Sequence, residues 1–186
     1  MAARIEPLMT VEDLDAMPED GNRYEVIEGE LFVSRAPAIP HQIVSGNIFY
    51  NFRRYLDDNP IGLIIATPGL VFSQYSGVIP DLVFFTHGRG EEIISGGRLV
   101  AAPDIVIEIL SPGRENISRD RIAKRQLYAK HGVKEYWIVD AENRAVEIYR
   151  LTGQGLESAA MARYGDEITS PLLPGFSCPV ARIFEQ

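Results

Sequence analysis

The chain has 186 residues, of which 46% are hydrophobic and 24% charged, as in an ordinary globular protein with a substantial core. Its net charge of −8 argues against non-specific nucleic-acid binding over the whole surface, and the single cysteine, Cys178, excludes an intramolecular disulfide. No apolar run approaches the roughly 18 residues of a membrane span, and the N-terminus lacks a secretory signal pattern. We therefore expect a cytoplasmic protein that does not enter membranes, with a single domain over residues 1–186.

The first third of the chain predicts a short helix, a hairpin and a long amphipathic helix. Thr10 and Asp13 have the spacing of a capping box, and the glycine of Glu28-Gly29 suits a two-residue hairpin turn. Apolar residues then recur at helical spacing until Pro60 approaches. The predicted elements are a helix at Val11–Met17, strands at Arg23–Ile27 and Glu30–Ser34, and a helix from His41 to about Leu56.

The middle of the chain predicts strands, a glycine-rich loop and a strand–helix–strand unit. Thr86–Gly97 contains four glycines and is expected to form a mobile loop. In Pro103–Asp140, an apolar run, a helical pattern ending at Gly132 and a second apolar run predict two parallel neighbouring strands. This order predicts a mixed sheet with helices packed on it, in the α+β or α/β class. The predicted strands are Gly62–Ala66, Leu70–Ser73, Asp81–Phe85, the run Ile105–Leu110, Tyr136–Val139 and Ala145–Leu151, with one more hairpin after residue 152.

Glu108 interrupts the first apolar run of the strand–helix–strand unit. A carboxylate in a buried strand is costly unless a partner or a bound ion compensates its charge. At roughly 100° per residue, the helix that follows places Asp120, Lys124 and Tyr128 on its inward, apolar face, whereas Arg119 falls mostly elsewhere. A buried glutamate and an inward Asp/Lys pair within one unit are the main indication of function.

Asp81 and Glu108 form the predicted centre of a site. Asp81 begins a strand after Pro80, and its side chain can share a sheet face with Glu108 if the two strands are neighbours. Two close carboxylates repel each other unless a cation lies between them or one pKa rises. Mg²⁺ takes such oxygen ligands, and Lys124 can reach the same point to orient a water or offset charge on a phosphate.

The same residues also have structural interpretations, which the sequence leaves open. Asp81 can cap a turn, Glu108 can pair with a structural partner, and Asp120–Lys124 can be a salt bridge between residues four apart on a helix.

Three further residues are open in the same way. His41 either lines the site or is a surface residue at the start of its helix, and Glu28 is either a supporting residue or a turn residue. Asp104 also follows a proline, so spacing alone leaves it as an alternative ligand.

Positive charge is concentrated between Arg114 and Lys134, where seven Lys or Arg stand against two Asp or Glu. Such a block beside the suspected carboxylates could hold a phosphate backbone. The alternative is an ordinary solvated helix face.

These motifs resemble a large bacterial family described as "putative restriction endonuclease", within the PD-(D/E)xK phosphodiesterase superfamily. The resemblance implies a restriction-endonuclease-like αβββαβ core with a mixed sheet, an added N-terminal helix and hairpin, and a metal ion held by Asp81 and Glu108. The lysine that the superfamily carries two residues after the glutamate is Leu110 here, and the resemblance implies that Lys124 replaces it. The resemblance covers about residues 10–180 and rests on Tyr24–Gly29 (YEVIEG), His41, Pro80-Asp81, Glu108–Pro112 (EILSP) and Asp120–Asp140.

Two functions are consistent with this sequence. One is a catalytically inactive nuclease-like module that binds nucleic acid or protein. The missing strand lysine and the acidic overall charge favour this function. An enzyme with one centre per chain would cut both DNA strands most simply as a homodimer. The other function, which we favour, is a DNA phosphodiesterase dependent on Mg²⁺ or Mn²⁺. Its predicted catalytic residues are Asp81, Glu108 and Lys124, and its predicted supporting residues are Asp120, Glu28, His41 and Tyr128.

Overall fold

The structure, a computed structural model, describes residues 7–185. Its helices are α1 (Val11–Leu14), α2 (Ile39–Asp58), α3 (His87–Ile93), α4 (Arg114–Ser118), α5 (Arg125–His131) and α6 (Val180–Ile183), and a π-helical turn (Arg119–Lys124) joins α4 to α5. Its strands are β1 (Arg23–Ile27), β2 (Glu30–Ser34), β3 (Gly62–Ala66), β4 (Leu70–Ser73), β5 (Ser76–Val78), β6 (Leu82–Thr86), β7 (Ile94–Ser95), β8 (Arg98–Leu99), β9 (Ile105–Ile109), β10 (Glu135–Asp140), β11 (Ala145–Thr152), β12 (Gly155–Arg163), β13 (Glu167–Ser170) and β14 (Leu173–Pro179).

A mixed six-stranded sheet in the order β12-β11-β10-β9-β6-β3 forms the centre of the molecule. Strands β9 and β10 pair in parallel, as the strand–helix–strand pattern predicts, and the other neighbours are antiparallel. The β9 and β10 residues are buried throughout, which explains their nearly continuous apolar runs. In chain order α2, β3, β6, β9, α4–α5 and β10 form the αβββαβ core, so the predicted fold class is confirmed.

Helix α2 covers one face of this central sheet. Its predicted apolar stripe is confirmed, because Val44, Ile48, Phe52 and Leu56 are buried, and Phe52 packs against Trp137 of β10 with ring centroids 5.6 Å apart. Each such side chain stabilises the fold by roughly 1.5–3 kcal/mol through burial. This face is therefore a closed apolar layer.

The opposite face of the central sheet packs against α5 and a second sheet, ordered β2-β1-β5-β4-β8-β7. The hairpin of β1 and β2 matches its predicted bounds, and both turn residues have positive φ, 52° at Glu28 and 83° at Gly29. The sequence did not indicate that β4 belongs to this second sheet, nor that β5 exists. Strand pairing of this kind depends on contacts between distant residues rather than on local pattern.

The prediction of a mobile loop at Thr86–Gly97 is wrong. The segment forms α3 and the short hairpin of β7 and β8, whose turn residues Gly96 and Gly97 have φ values of 57° and 76°. Ile93 is buried in the core between the two sheets, and this tertiary contact outweighs the glycine-rich composition. The glycines mark the turn rather than a long loop.

The elements near the two termini differ in length or number from the predicted ones. The capping box of Thr10 and Asp13 is present, but α1 ends at Leu14 and turns with three-residue spacing follow it, so the predicted helix to Met17 was too long. The single predicted C-terminal hairpin is present as β13–β14, and β12 also extends the central sheet beside β11. Within residues 7–185, no helix is both long and apolar enough to cross a membrane.

Candidate active site

Asp81, the residue directly before β6, lies opposite Glu108 of the adjacent antiparallel strand β9. Leu82 of β6 pairs with Ile107 of β9, so the same register, continued by one residue, places Asp81 across from Glu108. The backbone N–H of Ile109 donates a hydrogen bond of 2.9 Å to Oδ2 of Asp81, which ties the two strands together at this point. The structure thus brings together the two carboxylates that the sequence placed at the centre of the site.

Asp81 is held by two basic side chains besides that backbone hydrogen bond. Arg23 of β1 lies 3.1 Å from Oδ1, and His41 of α2 lies 3.1 Å from Oδ2 through Nε2. Burial by itself raises the pKa of Asp81, but the hydrogen bond and charge of His41 outweigh burial and lower it below its ordinary value. Asp81 is therefore an ionised carboxylate with a fixed orientation, and His41 lines the site rather than the surface.

Glu108 is buried among side chains from the following helix. Its Oε1 accepts hydrogen bonds from Lys124 Nζ at 2.9 Å and from the Tyr128 hydroxyl at 2.7 Å. Burial raises the pKa of Glu108 to about 8, and the nearby charge of Asp81 also raises it, although Lys124 opposes the rise. Both hydrogen bonds use Oε1, so Oε2 is the oxygen that remains for another ligand.

Lys124 lies at the centre of three carboxylates. Its ammonium is 2.9 Å from Glu108, 2.9 Å from Glu25 of β1 and 3.9 Å from Asp120, and only 2% of its side chain is exposed. Burial lowers the pKa of Lys124, but the charges of these carboxylates outweigh burial and raise it above its ordinary value. The inward direction predicted for Lys124 and Asp120 is confirmed, and Lys124 is a permanent buried cation.

Arg119 also points into this cluster, which corrects the prediction that it falls elsewhere on the helix. It lies 3.0 Å from Asp120 and 3.9 Å from Glu25, with 8% of its side chain exposed. The prediction assumed an α-helix, but residues Arg119–Lys124 form a π-helical turn. Hydrogen bonds from i to i+5 align residues five apart, so Arg119 and Lys124 share one side of the helix.

Glu25 is the acidic residue of the cluster that sequence reasoning missed. Its Oε1 accepts the backbone N–H of Ile79 at 2.7 Å and contacts Lys124, and the side chain is buried. The sequence contains one sign of its role, because Glu25 is a glutamate inside the predicted strand Arg23–Ile27, just as Glu108 is a glutamate inside a strand of the central sheet. Its importance was hidden because the partner lysine lies about a hundred residues away.

These side chains surround a narrow cleft of about 20 Å³, just above the size that holds one water molecule or ion. Asp81 and Glu108 are hard oxygen donors, and Mg²⁺ is typically held by one or two carboxylates with waters and substrate phosphates completing its shell. Among residues 7–185, no set of three or more His, Cys, Asp or Glu side chains has the arrangement of a metal cage. The donor set that Asp81 and Glu108 offer is two carboxylates, which waters and phosphate oxygens would have to complete around an ion.

The sequence matches a known protein family. Residues 11–181 match the Uma2 family, described as "Putative restriction endonuclease". The chain belongs to this family. Its fold is similar to the crystal structure of a putative nuclease of DUF820 from Anabaena variabilis, with 20% sequence identity, a TM-score of 0.74, and coverage of 95% of this chain and 97% of that one. No curated protein matches the chain.

Two acidic residues considered from the sequence lie outside the cleft of this Uma2 family member. Glu28 occupies the hairpin turn and forms an exposed ion pair with Lys130, with oxygens 3.0 and 3.1 Å from the ammonium. Asp104 accepts from Thr86 and contacts Arg89 and Lys134. The structure therefore places Glu28 in a surface pair and Asp104 in a separate cluster.

The basic block from Arg114 to Lys134 is largely paired within the protein. Lys124 and Arg119 are buried in the cleft, and Arg121 binds Asp140 and Glu147. Lys130 and Lys134 form the pairs given above, and Arg125 lies over the ring of Tyr149 at 5.0 Å. The block is thus neither a simple solvated face nor a row of free cations.

Proposed function

We propose that this Uma2 family member is a Mg²⁺-dependent nuclease that hydrolyses phosphodiester bonds in DNA, with Mn²⁺ as the alternative ion. The observation that carries the proposal is the convergence of Asp81, Glu108 and Lys124 in one buried cluster. Membership in a family described as "Putative restriction endonuclease" and a fold similar to a putative nuclease support it.

Asp81 and Glu108 would hold the metal ion in this proposal. Asp81 is kept ionised and fixed by Arg23, His41 and the Ile109 N–H, and Glu108 offers Oε2. A bound Mg²⁺ would supply positive charge to the phosphate and polarise the attacking water. Binding requires Glu108 to lose its proton, so its raised pKa makes metal affinity depend on pH.

Lys124 would act beside that centre as a fixed positive charge. Its ammonium already lies 2.9 Å from Glu108, so it can hydrogen-bond a water or a phosphate oxygen close to the carboxylates. A buried cation stabilises the charge that develops on phosphorus oxygens more strongly than an exposed one. His41 and Tyr128 orient the two carboxylates rather than contact phosphate.

Cleavage assays test the proposal directly. Purified protein is incubated with supercoiled plasmid and with single-stranded DNA in Mg²⁺, Mn²⁺ or chelator, and Glu108→Gln protein serves as the matched control. We expect strand cleavage only with the divalent ion and only by the unaltered protein. Cleavage in chelator, or equal cleavage by the Glu108→Gln protein, would mean that another site or a contaminant is responsible.

One observation favours a second function, a nuclease-like module that binds without cleaving. Lys124 already lies among Glu25, Glu108 and Asp120, so their charge is partly neutralised without any metal. Titration calorimetry with Mg²⁺ separates the two functions, because a binding module would show no saturable uptake in the cleft. The homodimer stays a prediction, which analytical ultracentrifugation tests.

A further inference from the structure

The cleft at Asp81 and Glu108 is closed. These two residues are each 3% exposed, Lys124 is 1% exposed, and the space between them is about 20 Å³. That volume is just above the size that holds one water molecule or ion, and a phosphodiester group with its two sugars is far larger. If DNA is hydrolysed at these groups, part of the cleft wall has to move first.

Two sides of the cleft are held by buried ion pairs and hydrogen bonds. On the β1 side, Glu25 accepts the backbone N–H of Ile79 at 2.7 Å and contacts Lys124 at 2.9 Å. On the side of the π-helical turn, Arg119 contacts Asp120 at 3.0 Å. Breaking such buried pairs leaves uncompensated charge, so these two sides do not separate readily.

The loop Leu110–Gly113, which borders the cleft, is also tied to its surroundings. The backbone N–H of Leu110 donates to the carbonyl of Val139 at 2.9 Å, and the Asn116 side chain donates to the carbonyl of Pro112 at 2.8 Å. The floor of the cleft consists of β6 and β9, which lie in the middle of the central sheet. Each of these parts is thus anchored to the rest of the fold.

The segment Arg35–Ala38, which joins β2 to α2, forms the remaining side and is anchored least. Arg35 and Pro37 line the cleft. The ladder between β1 and β2 ends at Ser34, and within residues 7–185 the backbone N–H groups of Arg35 and Ala36 donate no hydrogen bond. Pro37 has no N–H to donate. Three consecutive residues at the cleft therefore lack hydrogen bonds from their backbone nitrogens.

The start of α2 adds little to hold this segment. Ala38 is the N-cap residue and provides no side-chain hydrogen bond to the first turn, unlike the serine, threonine, aspartate or asparagine that is preferred there. Ala36 and Ala38 are exposed, and the neighbouring Ile39 is 73% exposed. A segment with few buried contacts and few backbone hydrogen bonds opens at low cost while the rest of the fold stays intact.

Arg35 adds a positive charge to this segment. It lines the cleft and is exposed, and within residues 7–185 no carboxylate forms an ion pair with it. The other three cations of the cleft lining, Arg23, Arg119 and Lys124, are each paired with carboxylates. A guanidinium without such a partner is available to bind a phosphate through two parallel hydrogen bonds.

We propose that the segment Arg35–Ala38 is a lid over the cleft, which moves away to admit the substrate and brings Arg35 onto its phosphate. Closure of such a lid sequesters the reacting groups from bulk water. The role of the lid in catalysis rests on the proposed nuclease function, whereas the motion itself does not.

Distances between nitroxide labels, measured by pulsed electron paramagnetic resonance, test the motion. One pair of labels joins Ala36→Cys on the lid to Asp58→Cys at the end of α2. A control pair joins Asp58→Cys to Glu157→Cys on β12, outside the lid, and all three positions are exposed. The native Cys178 is buried, and burial raises its pKa to about 11, so it does not take up the label.

The lid pair should show a second distance that the control pair lacks. We expect it when these labels are carried by the Glu108→Gln protein saturated with a short DNA duplex or with its single strand. We also expect it without DNA in the Pro37→Gly protein, since glycine removes the restriction that proline places on the backbone. A single unchanged distance in both conditions overturns the inference, and so does an equal change in the control pair.

The salt dependence of DNA binding tests the contact between Arg35 and phosphate. Fluorescence anisotropy of a labelled oligonucleotide is measured for the Glu108→Gln protein with and without Arg35→Ala. Loss of one phosphate contact should weaken binding by roughly three- to tenfold and lower the slope of log K against log salt concentration by about one. Arg54→Ala is the matched control, because this exposed arginine has no ion pair within residues 7–185 and lies about 20 Å along α2 from His41. An unchanged slope for Arg35→Ala overturns the proposed contact.

The outcomes separate this inference from the proposed function. If the unaltered protein cleaves DNA with Mg²⁺ while the lid pair keeps one distance, the nuclease function stands and the inference fails. If the Pro37→Gly protein shows the second distance but no DNA is bound or cleaved, the lid is supported and the nuclease function is refuted.

Discussion

The chain contains two Pro-Asp dipeptides whose carboxylates are both buried but serve in different surroundings. Asp104 is 1% exposed and contacts Arg89 and Lys134, whose side chains are 30% and 51% exposed. Burial raises the pKa of Asp104, but the hydrogen bonds from Lys134 and Thr86 outweigh burial and lower it. The charge of Asp104 is thus compensated by two cations near solvent, as is typical of a structural ion pair.

The surroundings of Asp81 differ. Four buried acidic side chains gather there, and two of the cations among them, Lys124 and Arg119, are themselves buried rather than near solvent. Burial raises the pKa of Glu108 to about 8, so this carboxyl group keeps its proton near neutral pH. Strongly shifted pKa values in a cleft are typical of functional sites, whereas satisfied pairs are typical of structural ones. The difference between the two regions is testable.

The largest effect is expected for Lys124→Ala. Removal of this cation leaves buried carboxylates uncompensated, which costs about 3–5 kcal/mol of folding free energy and should reduce any nuclease rate by orders of magnitude. Lys134→Ala is the matched control at Asp104, and its exposed ammonium should contribute no more than about 1 kcal/mol. Chemical denaturation and cleavage assays measure both. Similar losses for the two variants would remove the distinction between the clusters.

Lys124→Arg sharpens that test, because it keeps the charge. A planar guanidinium is larger than an ammonium and cannot occupy the same point among three carboxylates. We expect the Lys124→Arg protein to regain part of the stability lost in Lys124→Ala but little of the nuclease rate. Full recovery of the rate would show that only charge matters at this position.

Glu108→Gln should separate binding from stability. The variant loses Mg²⁺ binding, yet its free energy of unfolding should be unchanged or higher, since a buried group that can ionise is replaced by one that stays neutral and Tyr128 can still donate to the amide oxygen. Asp104→Asn should instead destabilise the protein by about 1–3 kcal/mol. Thermal melts with and without Mg²⁺ measure these effects. Marked destabilisation by Glu108→Gln would make Glu108 a structural partner.

The pH dependence of stability should differ in sign between the clusters. The pKa of Glu108 rises on folding from 4.5 to about 8, so its stabilising contribution is present at low pH and is lost as pH rises through that interval. The lowered pKa of Asp104 contributes stability that is lost as pH falls. Denaturation of metal-free protein across this range should show the decline, and the Glu108→Gln protein should lack it. Stabilisation by Mg²⁺ should grow as pH rises.

The smallest effect is expected for Glu28→Gln. This side chain is 56% exposed, and its ion pair is with a surface lysine, so the change should alter stability by less than about 0.5 kcal/mol and leave the nuclease rate unchanged. Cleavage and melting assays measure both quantities. A large loss of rate would place the hairpin turn within the site.

Local pattern was sufficient for much of this protein. The bounds of β1–β4 and the apolar stripe of α2 follow from spacing that needs no distant contact. The inward direction of Asp120 and Lys124 also follows from helical spacing, although the π-helical turn then brings in Arg119 as well. The second sheet, the ordered segment after Thr86 and the role of Glu25 were not predicted, because each depends on contacts between residues that lie far apart in the sequence.

By itself, the sequence determined the bounds of β1–β4, the apolar stripe of α2 and the unexplained charge of Glu108 in a buried strand, because helix and strand periods and the cost of burying a carboxylate are local properties. Only the tertiary structure decided which charges meet. The strand register set Asp81 against Glu108, the hairpin delivered Glu25, and the π-helical turn aligned Arg119 with Lys124. It also decided that Asp104 and Glu28 lie elsewhere, since ion pairs depend on distances in space that residue spacing does not contain.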